Sequence, residues 1–176
     1  MRLAALLTAA GLEPCDPTGD PDVLRVAHDS REVTDGDLFC CIPGGTYDGH
    51  GFAADAVAAG AVAVLAERSI GDVTVPTVIV PSVRAVIGPV AAALNGWPSR
   101  ALDLVGVTGT NGKTSVVHLL RSILETSGLH AGSWGTLSGE RTTPEATDLQ
   151  ATIAGWVDDG VEVAAIEISS HALAQH

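Results

Sequence analysis

Leu3, Leu6, Leu7 and Ala10 recur at the helical period and stop at Gly11, which predicts a short amphipathic helix at the start of the chain. Short runs with strand character follow at 23–30 and at 37–42, separated by a polar break. A Gly-dense loop, Pro-Gly-Gly-Thr-Tyr-Asp-Gly-His-Gly-Phe, comes next. Residues 53–61 read as helix, 62–67 and 77–81 as strands, and 82–98 as mostly helix. Pro89 inside that last stretch predicts a kink or a late start. The Asn-Gly-Trp-Pro-Ser-Arg segment at 95–100 ends the helix and gives the clearest boundary signal in the chain.

Beyond it the pattern changes. Residues 102–108 form a continuous apolar run, as expected of a strand buried on both faces of a parallel sheet. Residues 113–128 are helical, with Val116, Val117, Leu120, Ile123 and Leu124 assigned to one apolar stripe and Gly128 closing the helix. A second helix is predicted over 146–160 and a second buried strand over 161–169. Strand and helix alternating in this way predict an α/β protein with parallel sheets, divided into 1–98 and 99–176.

Composition narrows the function classes. Of the 176 residues, 46% are hydrophobic and 17% charged, so the chain can bury a core. Its formal charge of −12 repels nucleic acid and anionic lipid, and neither is expected as a partner. An anion site must therefore be built locally. No apolar run reaches the ~20 residues of a membrane-spanning helix. The amino-terminal stretch lacks a small-residue cleavage site and is interrupted by Glu13, so it is read as helix rather than as a secretion signal. Cys15, Cys40 and Cys41 have no metal or redox spacing and are read as small buried residues, which suits a reducing cytoplasm.

The segment Gly-Val-Thr-Gly-Thr-Asn-Gly-Lys-Thr-Ser at 106–115 carries the chemistry. Gly109 and Gly112 let the backbone turn tightly and approach a ligand without a Cβ in the way. The N–H groups of the turn and of the following helix converge on an anion with the helix dipole behind them. Lys113 adds a full charge toward terminal phosphates, and the Thr114 hydroxyl is placed to ligate Mg²⁺. The common phosphate-loop pattern is not strictly met, since Val107 stands at its first position. Glu167 interrupts an apolar run near a strand's carboxyl end, where ligands of open α/β sheets gather, and is a candidate second metal ligand. A plain Gly-rich connection and an ordinary surface carboxylate are the structural alternatives. Thr143 and Pro144 also read as an ordinary helix entry, with Thr143 as N-cap and Pro144 at the first helical position. Asp48 and His50 read as loop structure.

Five segments occur in one order: 29–39 (DSREVTDGDLF), 44–52 (GGTYDGHGF), 106–115 (GVTGTNGKTS), 142–150 (TTPEATDLQ) and 167–176 (EISSHALAQH). Together they resemble the Mur ligases of peptidoglycan synthesis, and within that family the MurE branch. The first two are shared with the MurF branch. The resemblance implies a UDP-substrate-binding domain over 1–98 and an incomplete central ATP-binding domain over 99–176. It implies an ATP-dependent ligase that activates the D-glutamate carboxylate of UDP-MurNAc-L-Ala-D-Glu as an acyl phosphate. The amine of meso-diaminopimelate or L-lysine then attacks. By the same resemblance Gly109, Thr110, Asn111, Gly112, Lys113, Thr114 and Ser115 bind ATP, and Thr114 with Glu167 holds Mg²⁺, so that Lys113 and Glu167 are the catalytic candidates. His28, Ser30, Gly45, Thr46 and Tyr47 meet the uridine end of the nucleotide, while Thr142, Thr143, Ser169 and Gln175 hold the muramoyl-peptide. The chain is expected to correspond to the amino-terminal part of such a ligase, inactive without the carboxyl-terminal part, with apolar sheet surface left uncovered. A non-catalytic nucleotide-binding module, another Mur ligase such as MurF, and a small phosphate-loop kinase are the rival readings.

Overall fold

In the computed structural model the chain divides into two compact units, Met1–Leu94 and Asn95–His176. The structure describes residues 1–13, 19–45, 47–71, 73–137 and 142–175. Cys15 and Thr46 lie outside the described residues, as does the side chain of Gln175.

The first unit is a four-stranded parallel sheet in the order β1-β2-β3-β4, formed by Arg25–Ala27, Asp37–Cys40, Ala63–Ala66 and Thr77–Ile79. Every residue of β2 and β3 is buried, so both faces of the sheet are covered. On one face Phe39, Val64 and Ala66 pack with Ala53 and Ala56 of helix α2, Ala53–Ala58. Elsewhere α1, Leu3–Ala9, packs on α3, Val83–Leu94, and α3 on β1. Leu3, Leu6 and Leu7 are buried as their spacing requires. Pro89 neither ends nor delays α3, which runs unbroken from Val83 to Leu94.

The buried Asp37 at the head of β2 is balanced locally. Arg25 on the adjacent strand grips it with two guanidinium nitrogens at 3.1 and 2.7 Å, and the Thr34 N–H donates to it at 2.9 Å. A buried carboxylate held this way avoids the cost of an unpaired charge. Cys40 and Cys41 are fully buried at the end of β2, and burial pushes the Cys41 thiol up to about 12.

The second unit is a three-stranded parallel sheet in the order β5-β7-β6: Asp103–Val107, Val163–Glu167 and Ala131–Trp134. Helix α4, Lys113–Thr126, packs on β7 and β6. Helix α5, Ala146–Asp158, places Ile153 against Leu102, Val161, Ala164 and Ile166. The chain then enters α6, Ser170–Gln175. Strand β6 gave no sequence signal of its own, because Ala-Gly-Ser-Trp has little of the β-branched character that marks a strand.

Two expectations fail in this unit. The continuous apolar run of β5 predicted burial on both faces, yet Leu104 and Val105 are 37% and 39% exposed. The strand order explains this: β7 takes the centre and β5 is left at an edge among the described residues. The apolar stripe of α4 is also narrower than its sequence suggests. Val117 is buried, Leu120 and Leu124 partly so, while Val116 and Ile123 point outward.

Candidate functional site

Within each unit the candidate residues follow the carboxyl ends of parallel strands, where an open α/β sheet exposes unpaired backbone groups to a ligand. In the first unit His28 and Ser30 come just after β1. Asp29 between them caps the 3-10 turn Ser30–Glu32 by accepting the Arg31 N–H at 3.0 Å. The Arg31 guanidinium bonded to it lowers the Asp29 carboxyl to about 2.

Gly45 and Tyr47 belong to the loop after β2. This loop is closed on itself: the Gly44 N–H donates to Tyr47 O at 2.9 Å, and the Gly49 N–H to Ile42 O at 3.0 Å. Both glycines are required by close approach. A Cβ on Gly44 would lie 2.6 Å from Tyr47 O, and one on Gly49 2.7 Å from Ile42 N. Gly44, Gly45 and Tyr47 are exposed, with the Tyr47 ring tilted toward that of Phe52. Asp48, at the base of the loop, has Arg68 and His50 against its carboxylate, and these hydrogen bonds hold it well below the usual carboxylate range.

In the second unit the turn 108–112 links β5 to α4. Gly109 and Gly112 have φ of 148° and 82°, in the region that favours glycine, and Gly112 sits at the N-cap of α4. The first turn of α4, starting at Lys113, leaves its N–H groups without intrahelical partners. The Lys113 ammonium folds back over the turn and donates to Gly109 O at 2.8 Å. The turn, the helix start and the Lys113 ammonium thus lie together.

Strand register sets Glu167 opposite Val107, the last residue before that turn. Its side chain is 1% exposed. One carboxylate oxygen accepts the Thr136 N–H at 2.9 Å and the other its hydroxyl at 3.3 Å. The Thr136 hydroxyl also lies 3.2 Å from that of Thr142. Thr143 bridges the strand end: its hydroxyl donates to Glu167 O at 3.0 Å and accepts the Ser169 N–H at 2.9 Å. The Ser169 hydroxyl in turn accepts the Ala172 N–H of α6 at 3.1 Å. Thr143 is therefore not the N-cap of α5, a position that Glu145 takes. Thr142, Thr143, Ser169 and Glu167 form one network. Thr136 and Gly135 belong to it too and were missed from sequence.

Two family models match the chain: "Mur ligase family, catalytic domain" over residues 23–95 and "Mur ligase middle domain" over residues 107–176. The chain belongs to the Mur ligase family. A relative from Geobacillus thermodenitrificans is 46% identical over 166 residues, which cover 89% of this chain and 34% of the relative. One from Bacillus licheniformis is 42% identical over 183 residues, covering 98% and 37%. Both are named UDP-N-acetylmuramoyl-L-alanyl-D-glutamate–2,6-diaminopimelate ligase. The chain spans about a third of the length of these relatives. A solved structure of a ligase of that name superposes with a TM-score of 0.71 at 27% identity, covering 87% of this chain and 33% of that one. A MurF from Acinetobacter baumannii shares the fold, with a TM-score of 0.68 at 23% identity over 97% of this chain and 36% of its own. In this chain the candidates at 28–50 fall in the first matched domain, and the 108–112 turn with the Glu167 network falls in the second.

Proposed function

We propose that this chain provides the UDP-substrate and ATP sites of a ligase that joins a diamino acid to UDP-MurNAc-L-Ala-D-Glu in peptidoglycan precursor synthesis. The observation that carries the reading is the phosphate turn with the Lys113 ammonium folded over it, beside a buried Glu167 on the neighbouring strand. The relatives' names favour 2,6-diaminopimelate over lysine as the amine.

In this reading the N–H groups around 109–115 cradle the β and γ phosphates, and Lys113 exchanges Gly109 O for a phosphate oxygen. A D-glutamate carboxylate oxygen attacks the γ-phosphorus and ADP leaves. The amine then attacks the acyl carbon and inorganic phosphate leaves. The chain's contribution is positioning and charge neutralisation around a transferred phosphoryl group. Thr114 and Glu167 are oxygen donors, a hydroxyl and a carboxylate, and this set fits Mg²⁺ shared with nucleotide phosphates. Bound there, Mg²⁺ would neutralise charge on the terminal phosphates. Thr142, Thr143, Ser169 and Gln175 would meet the muramoyl-peptide, and His28, Ser30, Gly45, Thr46 and Tyr47 the uridine. Among the described residues no helix is long and apolar enough to cross a membrane. A cytoplasmic site of action goes with this reading, since ATP is available there and the buried thiols of Cys40 and Cys41 stay reduced.

Calorimetric titration with UDP-MurNAc-L-Ala-D-Glu tests the substrate assignment. Saturable binding is expected, competed by UDP and not by an ADP-sugar. Equal competition by both, or no binding, would overturn it.

A further inference from the structure

We propose that Asp48, His50 and Arg68 form a positioning clip that fixes Gly45 and Tyr47, in the loop after β2, where they receive the uridine nucleotide. The inference rests on the reading that Gly45 and Tyr47 touch that nucleotide. Gly44 and Gly45 have no side chain to pack and Tyr47 is 74% exposed, so their placement has to come from the base of the loop.

There the contacts are dense. Pro43 and Asp48 form an antiparallel bridge that closes the loop. One oxygen of Asp48 accepts the His50 backbone N–H at 3.0 Å and lies 2.6 Å from His50 Nδ1. The other oxygen accepts from the Arg68 guanidinium at 2.5 Å. His50 Nε2 accepts the Glu67 backbone N–H at 3.0 Å. A nitrogen that accepts a hydrogen bond carries no proton, so the His50 proton is on Nδ1 and is donated to Asp48. With both ring nitrogens engaged and the side chain 4% exposed, His50 has no free lone pair for proton transfer. It holds the loop.

The anchor extends into the unit. Glu67 and Arg68 directly follow β3, and Glu67 Oε1 accepts the N–H of Val83, the first residue of α3, at 2.8 Å. A displacement of Asp48 therefore has to break contacts with a strand end and, through Glu67, a helix start. The charged and titratable groups of the cluster are Asp48, His50, Glu67, Arg68 and the buried Cys41.

Calorimetry with UDP on the full chain tests the clip, with Mg·ATP binding and the melting temperature as controls. Arg68→Gln, at a half-exposed side chain, is expected to weaken UDP about tenfold, as loss of a charge-assisted bond does. Mg·ATP affinity should not move, and the melting temperature should fall only slightly, as expected for loss of one half-exposed ion pair. Asp48→Asn with Arg68→Gln should cost no more than Asp48→Asn alone, because the two act through one contact. His50→Gln, whose carbonyl oxygen can still accept the Glu67 N–H, should retain more affinity than His50→Leu. Unchanged UDP binding in Arg68→Gln and Asp48→Asn would overturn the clip, as would losses that simply track the melting temperature. If the unsubstituted chain binds no UDP, the nucleotide reading falls and takes the proposal with it, a result distinct from either of those.

Discussion

Gly135 has no side chain where Glu167 needs the space: a Cβ there would lie 2.0 Å from the Glu167 carboxylate. Gly135→Ala is therefore expected to push that carboxylate off Thr136 and lower Mg²⁺-dependent ATP affinity about tenfold, without affecting UDP binding. Titrating ATP with and without Mg²⁺ measures this. Glu167 could be read from sequence because a carboxylate stands out in an apolar run. Gly135 and Thr136 could not, because Glu167 lies 31 residues beyond Thr136 and only the strand register brings them together. Acid behaviour is also a residue-scale matter. Asp29 falls from an unperturbed 3.8 to about 2, so its pairing with Arg31 stabilises the fold above pH 3.8 and is lost as the pH drops through about 2. Asp48 behaves the same way, further into acid. Carboxyl titration by NMR should find both still ionised at pH 3.

Most elements were legible because each carried a period or a stop: the leucines of α1, the apolar runs of β2, β3 and β7, the Gly128 that ends α4. Strand β6 was not, since Gly132 is there to admit the Trp156 ring, which a Cβ would meet at 3.1 Å. Its strand character comes from pairing with β7 and from packing under α5, both tertiary effects. Trp156→Ala is expected to destabilise the second unit by about 3 kcal/mol, reported by urea denaturation. Strand β5 shows the opposite failure. Its apolar run is real, but burial depends on neighbours that a local pattern does not contain.

At the scale of the molecule the second unit exposes several apolar side chains. On α4, Leu119 and Ile123, one turn apart, are 63% and 61% exposed; Leu104 and Val105, successive residues of β5, are exposed on opposite faces of the sheet. An exposed apolar pair of this kind on a helix promotes association. The pair Leu119→Lys and Ile123→Lys is expected to lower hydrophobic-dye binding and self-association, measured by fluorescence and analytical ultracentrifugation. Unchanged behaviour would mean that the surface is inert.

The central claim is that one chain carries two distinct nucleotide sites, each at the carboxyl rim of its own parallel sheet. Titrating Mg·ATP into chain already saturated with UDP-MurNAc-L-Ala-D-Glu tests it most directly. The account predicts one further equivalent of ATP bound, the first ligand retained, and loss of the second event alone in Lys113→Ala. Displacement of the UDP ligand by ATP, or ATP binding that is indifferent to Lys113, would contradict it.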